Sequence, residues 1–127
     1  MISNQYNNEV IEKWGNTEAY KEYSEKSKKY TKEKWNDILS GMDDIFHLFS
    51  VCMKNNISHD STDAQNIVLK LRNYINENFY NCTVDILYGL GQMYVSDERF
   101  KNNIDKHSIG AAEFVSKAIE VYCLKNI

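Results

Sequence analysis

Trp35-Asn36-Asp37-Ile38-Leu39-Ser40-Gly41-Met42-Asp43-Asp44-Ile45-Phe46-His47-Leu48-Phe49-Ser50-Val51-Cys52-Met53 decides the fold class. Trp35, Ile38, Leu39, Met42, Ile45, Phe46, Phe49 and Met53 recur at the 3.6-residue period of one helix face. Thr31 stands where an N-cap belongs, and Glu33 suits the positive end of the helix dipole. Gly41 interrupts the stripe at a cost of about 1 kcal/mol relative to alanine.

The same pattern continues toward the C-terminus. Asn55, Asn56 and Ser58-His59-Asp60-Ser61 read as a loop. Ala64, Ile67, Val68, Leu71, Tyr74 and Ile75 then mark a second amphipathic helix. Phe79-Tyr80-Asn81-Cys82-Thr83 breaks it, and Thr83 caps a helix holding Ile86, Leu87, Leu90, Met93 and Tyr94. Ser96 is expected to cap a short helix with Phe100 and Ile104 inward, and a last helix is expected from about Ser108 to Leu124. Toward the N-terminus, a short helix is expected from Glu9 to Trp14, stopped by Gly15. A polar one follows, capped by Asn16 or Thr17 and running to about Lys29. Its large apolar residues are Tyr20 and Tyr23, so it buries little and is marginal alone. Residues 1–8 are polar and expected to fray.

Composition agrees with an all-α reading. The 127 residues contain no proline and five glycines, too little punctuation for a turn-rich β architecture. A hydrophobic share of 43% suffices for one domain without disulfides or a structural metal. The net charge of −3, with both signs mixed, excludes a strong basic field for nucleic acid. No apolar run approaches a membrane span, and the N-terminus lacks the pattern of a signal peptide. Cys52, Cys82 and Cys123 are odd in number and lack CxxC spacing, which fits reduced thiols in the cytoplasm. The expectation is one all-α domain of five to seven helices over residues 1–127, with no cofactor and no metal.

Several short motifs carry a family resemblance. Trp14-Gly15-Asn16-Thr17-Glu18-Ala19-Tyr20, Tyr30-Thr31 with Trp35, and Phe79-Tyr80-Asn81-Cys82 stand in order along the chain. Gly89-Leu90-Gly91-Gln92-Met93-Tyr94-Val95-Ser96-Asp97 with Arg99-Phe100, then Asp105-Lys106-His107 with Gly110, complete the set. Together they resemble the TipAS-type antibiotic-recognition domains found at the C-terminus of some MerR-family regulators. The resemblance implies a globin-like helical arrangement around a cleft for bulky, aromatic-rich antibiotics, notably thiopeptides. It also implies N-terminal helices, residues 9–35 here, that fold over the ligand. This chain has no helix-turn-helix segment, so direct DNA binding is not expected of it.

Cys82 precedes a helix start, where backbone N–H groups favour a thiolate. By position alone, a free cysteine is more often a buried, inert thiol. The match to the Phe-Tyr-x-Cys motif implies a ligand-facing Cys82 able to add to the dehydroalanine of a thiopeptide. Aromatic walls would stack on azole rings. Trp14, Tyr20, Tyr23, Tyr30, Trp35, Phe46, Tyr80, Tyr88 and Tyr94 are the candidates, and Trp35 and Tyr94 serve equally well as core. His107 is a candidate ligand donor or a structural residue, and Asp105 a cap for the last helix. Asp43 and His47 lie one turn apart but lack further metal ligands.

The leading expectation is thus a binding module for an antibiotic or drug, with no enzymatic activity. The alternative is a regulatory or interaction domain sensing an endogenous molecule or partner. A third reading, an enzyme with Cys82 as nucleophile, would need His107 as its base. Oligomeric state is not legible.

Overall fold

The computed structural model describes residues 18–126. Within them the chain forms six helices and no strand: α1 (Glu18–Ser27), α2 (Lys32–Lys54), α3 (Thr62–Asn78), α4 (Val84–Ser96), α5 (Glu98–Asp105) and α6 (Ala111–Lys125). The expected all-α class is therefore observed. The expected helix at Glu9–Trp14 lies outside the described residues.

α2, α3 and α4 each start where a side chain can serve their free N–H groups. Thr31, Ser61 and Thr83 accept hydrogen bonds from Lys34, Ala64 and Ile86 at 3.1, 3.1 and 3.2 Å. Two boundaries differ from expectation. Asp97, not Ser96, caps α5, because its carboxylate accepts from the Arg99 N–H at 2.9 Å. α6 starts at Ala111, later than Ser108, since Gly110 is its cap residue and offers no side chain. Asp105 supplies the missing acceptor from the preceding helix, 2.9 Å from the Ala112 N–H.

α6 is the central element. It packs against α2, α3, α4 and α5, most extensively against α4. Its buried face carries Val115 and Ile119 beside Ala111, Ala112 and Ala118, small residues that let neighbours approach. Gly91 of α4 completes that approach: a Cβ there would sit 3.0 Å from the Ile119 side chain. Phe49, Leu71, Leu87, Ile104 and Val115 are fully enclosed in the shared core. Burying each such side chain stabilises the fold by roughly 1.5–3 kcal/mol.

Gly41 permits α2 to pass close to Tyr74 of α3. A Cβ at Gly41 would collide with the Tyr74 hydroxyl, which donates a 2.7 Å hydrogen bond to the Ile38 carbonyl. The glycine thus exchanges some helix propensity for a close interhelical contact. No helix among the described residues is long and apolar enough to cross a membrane.

Candidate ligand-binding site

A cleft of about 840 Å³ opens on one side of the bundle. Its volume falls within the range of drug-sized pockets. α2 contributes Leu39, Ser40, Met42, Asp43 and Phe46, spaced at one helical face. Opposite stand Phe79 and Tyr80 of the α3–α4 turn, with Leu90 and Tyr94 of α4. α5 closes one side with Arg99, Phe100, Asn102, Asn103 and Ile104, and α1 contributes Tyr23.

Two aromatic groups frame this space. In one, Tyr23 stacks on Phe79 at 6.2 Å between ring centroids, and Trp35 lies 6.0 Å from Phe79. Tyr30 meets Trp35 edge-on at 5.3 Å. In the other, Tyr94 meets Phe46 edge-on at 5.4 Å and Phe100 at 5.8 Å. Rings held by neighbouring rings lose little further freedom when a ligand arrives.

α1 and the turn after it are tied to the end of α3. That helix has no basic residue in its last turn. Lys26 of α1 donates to the Asn76 carbonyl at 2.7 Å, and the Tyr30 hydroxyl donates to the Asn78 carbonyl at 2.7 Å. Both bonds satisfy carbonyls that a helix leaves free at its C-terminus.

The structure distributes the sequence candidates unevenly. Tyr23, Phe46, Tyr80 and Tyr94 stand on the cleft wall. Trp35 and Tyr30 sit one layer behind, buttressing Tyr23 and Phe79. Tyr88 does not join them: it is 44% exposed and off the cleft. Leu87, Leu90, Gly91 and Tyr94 take the inward face of α4, and position 88 is turned outward by that periodicity. Trp14 and the side chain of Tyr20 lie outside the described residues.

Cys82 also differs from the expectation of a thiolate. It is completely buried, and burial pushes its thiol up to about 12, against a smaller opposing effect of Arg72. Its sulfur lies behind the wall, near enough to Tyr80 and Tyr94 to interact electrostatically with both. The helix start cannot compensate for the lost solvation. α3 clamps the Cys82 backbone from two sides: Asn76 Oδ1 accepts from its N–H at 2.6 Å, and Arg72 Nε donates to its carbonyl at 2.8 Å. Cys52 and Cys123 are buried in the core, as their helical stripes suggest.

His107 lies off the cleft and is bonded to Asp43 at 2.9 Å, with Lys106 Nζ 3.3 Å from the same oxygen. Burial would raise the Asp43 pKa, but the bonds from His107 and Lys106 outweigh it and hold the carboxyl below its ordinary value. His107 thus fixes α2 to the α5–α6 connection. No group of three or more His, Cys, Asp or Glu among the described residues could hold a metal ion.

Sequence reasoning passed over Phe79, which stood in a motif, and the whole polar wall of α5. The signal for that wall was Arg99-Phe100 followed by Asn102-Asn103, a short helix too polar to serve only the core.

The sequence matches the model of the TipAS antibiotic-recognition domain over residues 6–122. The chain belongs to the TipAS family. It is 41% identical over 115 residues to the HTH-type transcriptional activators TipA of Streptomyces coelicolor and Streptomyces lividans, covering 91% of this chain and 46% of each of those proteins. It is 33% identical over 118 residues to the HTH-type transcriptional activator mta of Bacillus subtilis, covering 93% of this chain and 45% of that one. The chain therefore spans less than half the length of these relatives. Among solved structures it resembles TipAS of Streptomyces lividans in complex with nosiheptide, described as part of a thiopeptide antibiotic multidrug resistance system. The TM-score is 0.86 at 37% identity, over 99% of this chain and 88% of that one. The TipAS fold thus holds through the described residues.

Proposed function

We propose that the cleft between α1, α2, the α3–α4 turn, α4 and α5 binds a thiopeptide antibiotic, with α1 lying over the ligand. The observation that carries this reading is the pair of aromatic groups flanking a cleft of about 840 Å³. Azole rings stack on such walls, and the apolar area removed from water drives association. In an activator of the kind its relatives represent, this chain is the ligand-recognition part, and closure of α1 over the ligand is the event transmitted to the rest. Alone, the same binding sequesters the drug.

Reversible seating comes first in this account. Where the ligand carries a dehydroalanine, the Cys82 thiol then adds across its C=C bond. An S–C bond forms at the terminal carbon, the thiol proton passes to the α carbon, and nothing else is consumed. Because the thiol lies behind Tyr80 and Tyr94, this addition waits for the 79–83 turn to open and is slow. Binding is the activity in this account: the Cys82 thiol is buried and held protonated, which does not make it a standing nucleophile.

Calorimetric titration with nosiheptide tests the seating, and intact-protein mass spectrometry with a Cys82→Ser control tests the addition. A one-to-one complex in both proteins, with a slowly growing adduct only in the unaltered one, is the expected result. No heat of binding and no thermal stabilisation would overturn the thiopeptide reading. A tight complex with no adduct would remove Cys82 from the mechanism and leave reversible binding standing.

A further inference from the structure

The α5 wall of the cleft has a chemistry unlike the rest. The other walls are mostly rings and aliphatic chains, whereas α5 and the residue just after it present Arg99, Asn102, Asn103 and Lys106. Arg99 donates through Nε and Nη2 to the two carboxylate oxygens of Asp97, at 3.1 and 2.7 Å. Lys106 lies 3.3 Å from Asp43. Each cation on this wall is therefore matched by a carboxylate, and the two asparagines are neutral donors and acceptors.

This pairing determines what the wall recognises. An anionic ligand would find both cations already neutralised, and would meet the Asp97 and Asp43 carboxylates beside them. A neutral, acceptor-rich ligand meets N–H groups without opposing a net field. Asp97 also restricts the guanidinium: it caps α5 and grips Arg99 through two oxygens, a planar fork geometry.

We propose that α5 is the specificity-determining wall of the cleft. Arg99, positioned by Asp97, and the Asn102 and Asn103 amides donate hydrogen bonds to neutral acceptors, the amide carbonyls along a peptidic ligand, while the aromatic walls take its rings. This inference rests on the reading that the cleft binds a thiopeptide. It adds that the recognised group is uncharged and that its reader is Arg99. Asp97 is a positioning residue.

The test compares two probes on the full chain: nosiheptide, and phenylnaphthylamine, a neutral aromatic dye with no carbonyl. Arg99→Gln is expected to weaken nosiheptide by about tenfold or more while changing the dye by less than about twofold. Affinity of the unaltered protein for nosiheptide is expected to stay level between about 50 and 500 mM salt, since no net charge is read. Asp97→Asn keeps a good N-cap but leaves Arg99 uncompensated. It is expected to weaken nosiheptide and strengthen an anionic anilinonaphthalene sulfonate dye. Undiminished nosiheptide affinity in Arg99→Gln overturns the inference and leaves the thiopeptide reading intact. Equal loss of both probes means that Arg99 serves the fold, and also overturns it. A steep fall of wild-type affinity with salt assigns the wall to charged groups instead. Failure of the unaltered protein to bind nosiheptide overturns both claims together.

Discussion

Gly41 fixes how α2 and α3 meet, by leaving out one methyl group. Its helix propensity is poor, yet the Tyr74 hydroxyl occupies the space a Cβ would take. Gly41→Ala should gain about 1 kcal/mol in propensity and lose more through overpacking and disturbance of the Tyr74–Ile38 bond, a net destabilisation of about 1–2 kcal/mol in denaturant titration. Cys82 gives a second residue-scale test. A buried thiol held near 12 is almost wholly protonated at neutral pH. Peptide-resolved alkylation of the unliganded protein should label it at least about a thousandfold more slowly than a free cysteine, and denaturation should restore the rate. Asp43 and Asp97 supply the pH dependence. Both carboxyls are held below their ordinary values, so their folded pKa lies under the unfolded one. Their contribution is present at neutral pH and disappears as pH falls through the folded value, below about pH 4. Thermal melts should therefore show a decline on the acid side that Asp43→Asn makes shallower.

α1 and α5 illustrate how elements acquire roles that their own composition does not reveal. α1 is polar, and what holds it is borrowed: the Tyr23–Phe79 stack, and the bonds from Lys26 and Tyr30 to the end of α3. Its attachment should be a small part of total stability, because little apolar surface is buried there. Tyr23→Ala combined with Lys26→Met is expected to speed proteolysis within residues 18–30 by about tenfold, at little cost to the melting of α2–α6. Parallel loss of both would show α1 to be integral to the core. The sequence foretells two helix starts, since Thr31 and Thr83 are caps by type and position, whereas Ser61, read only as part of a loop, turns out to cap α3. It misplaces the α5 cap because Ser96 and Asp97 are both good cap residues, and only the Arg99 contact chooses between them.

At the scale of the whole molecule, α6 forms a central post, and α2 to α5 bury their apolar stripes around it. Period and capping made the helices and their packing into one all-α domain legible, since helices of this kind have no other way to hide those faces, but not which helix is the post. The cleft was less legible. Periodicity assigns Phe46 and Tyr94 to an inward face but does not separate a core wall from a pocket wall. Position alone favours a buried thiol at Cys82 and only the motif implies a ligand-facing one; the depth of the turn agrees with the first, and periodicity has no measure of that depth. Tyr88 was included by residue type, which carries no direction. What periodicity leaves open, the motifs partly supply, because Tyr80, Tyr94, Arg99 and Phe100 all stand in segments that resemble the family pattern and all reach the cleft. The central claim is that ligand occupies this one space. Hydrogen–deuterium exchange with and without nosiheptide tests it most directly. The account predicts added protection in α1, in the 39–46 part of α2, at residues 79–80 and across α5, with Tyr88 and the outer face of α3 unchanged. Protection confined to those outer surfaces, or none anywhere on binding, would contradict it.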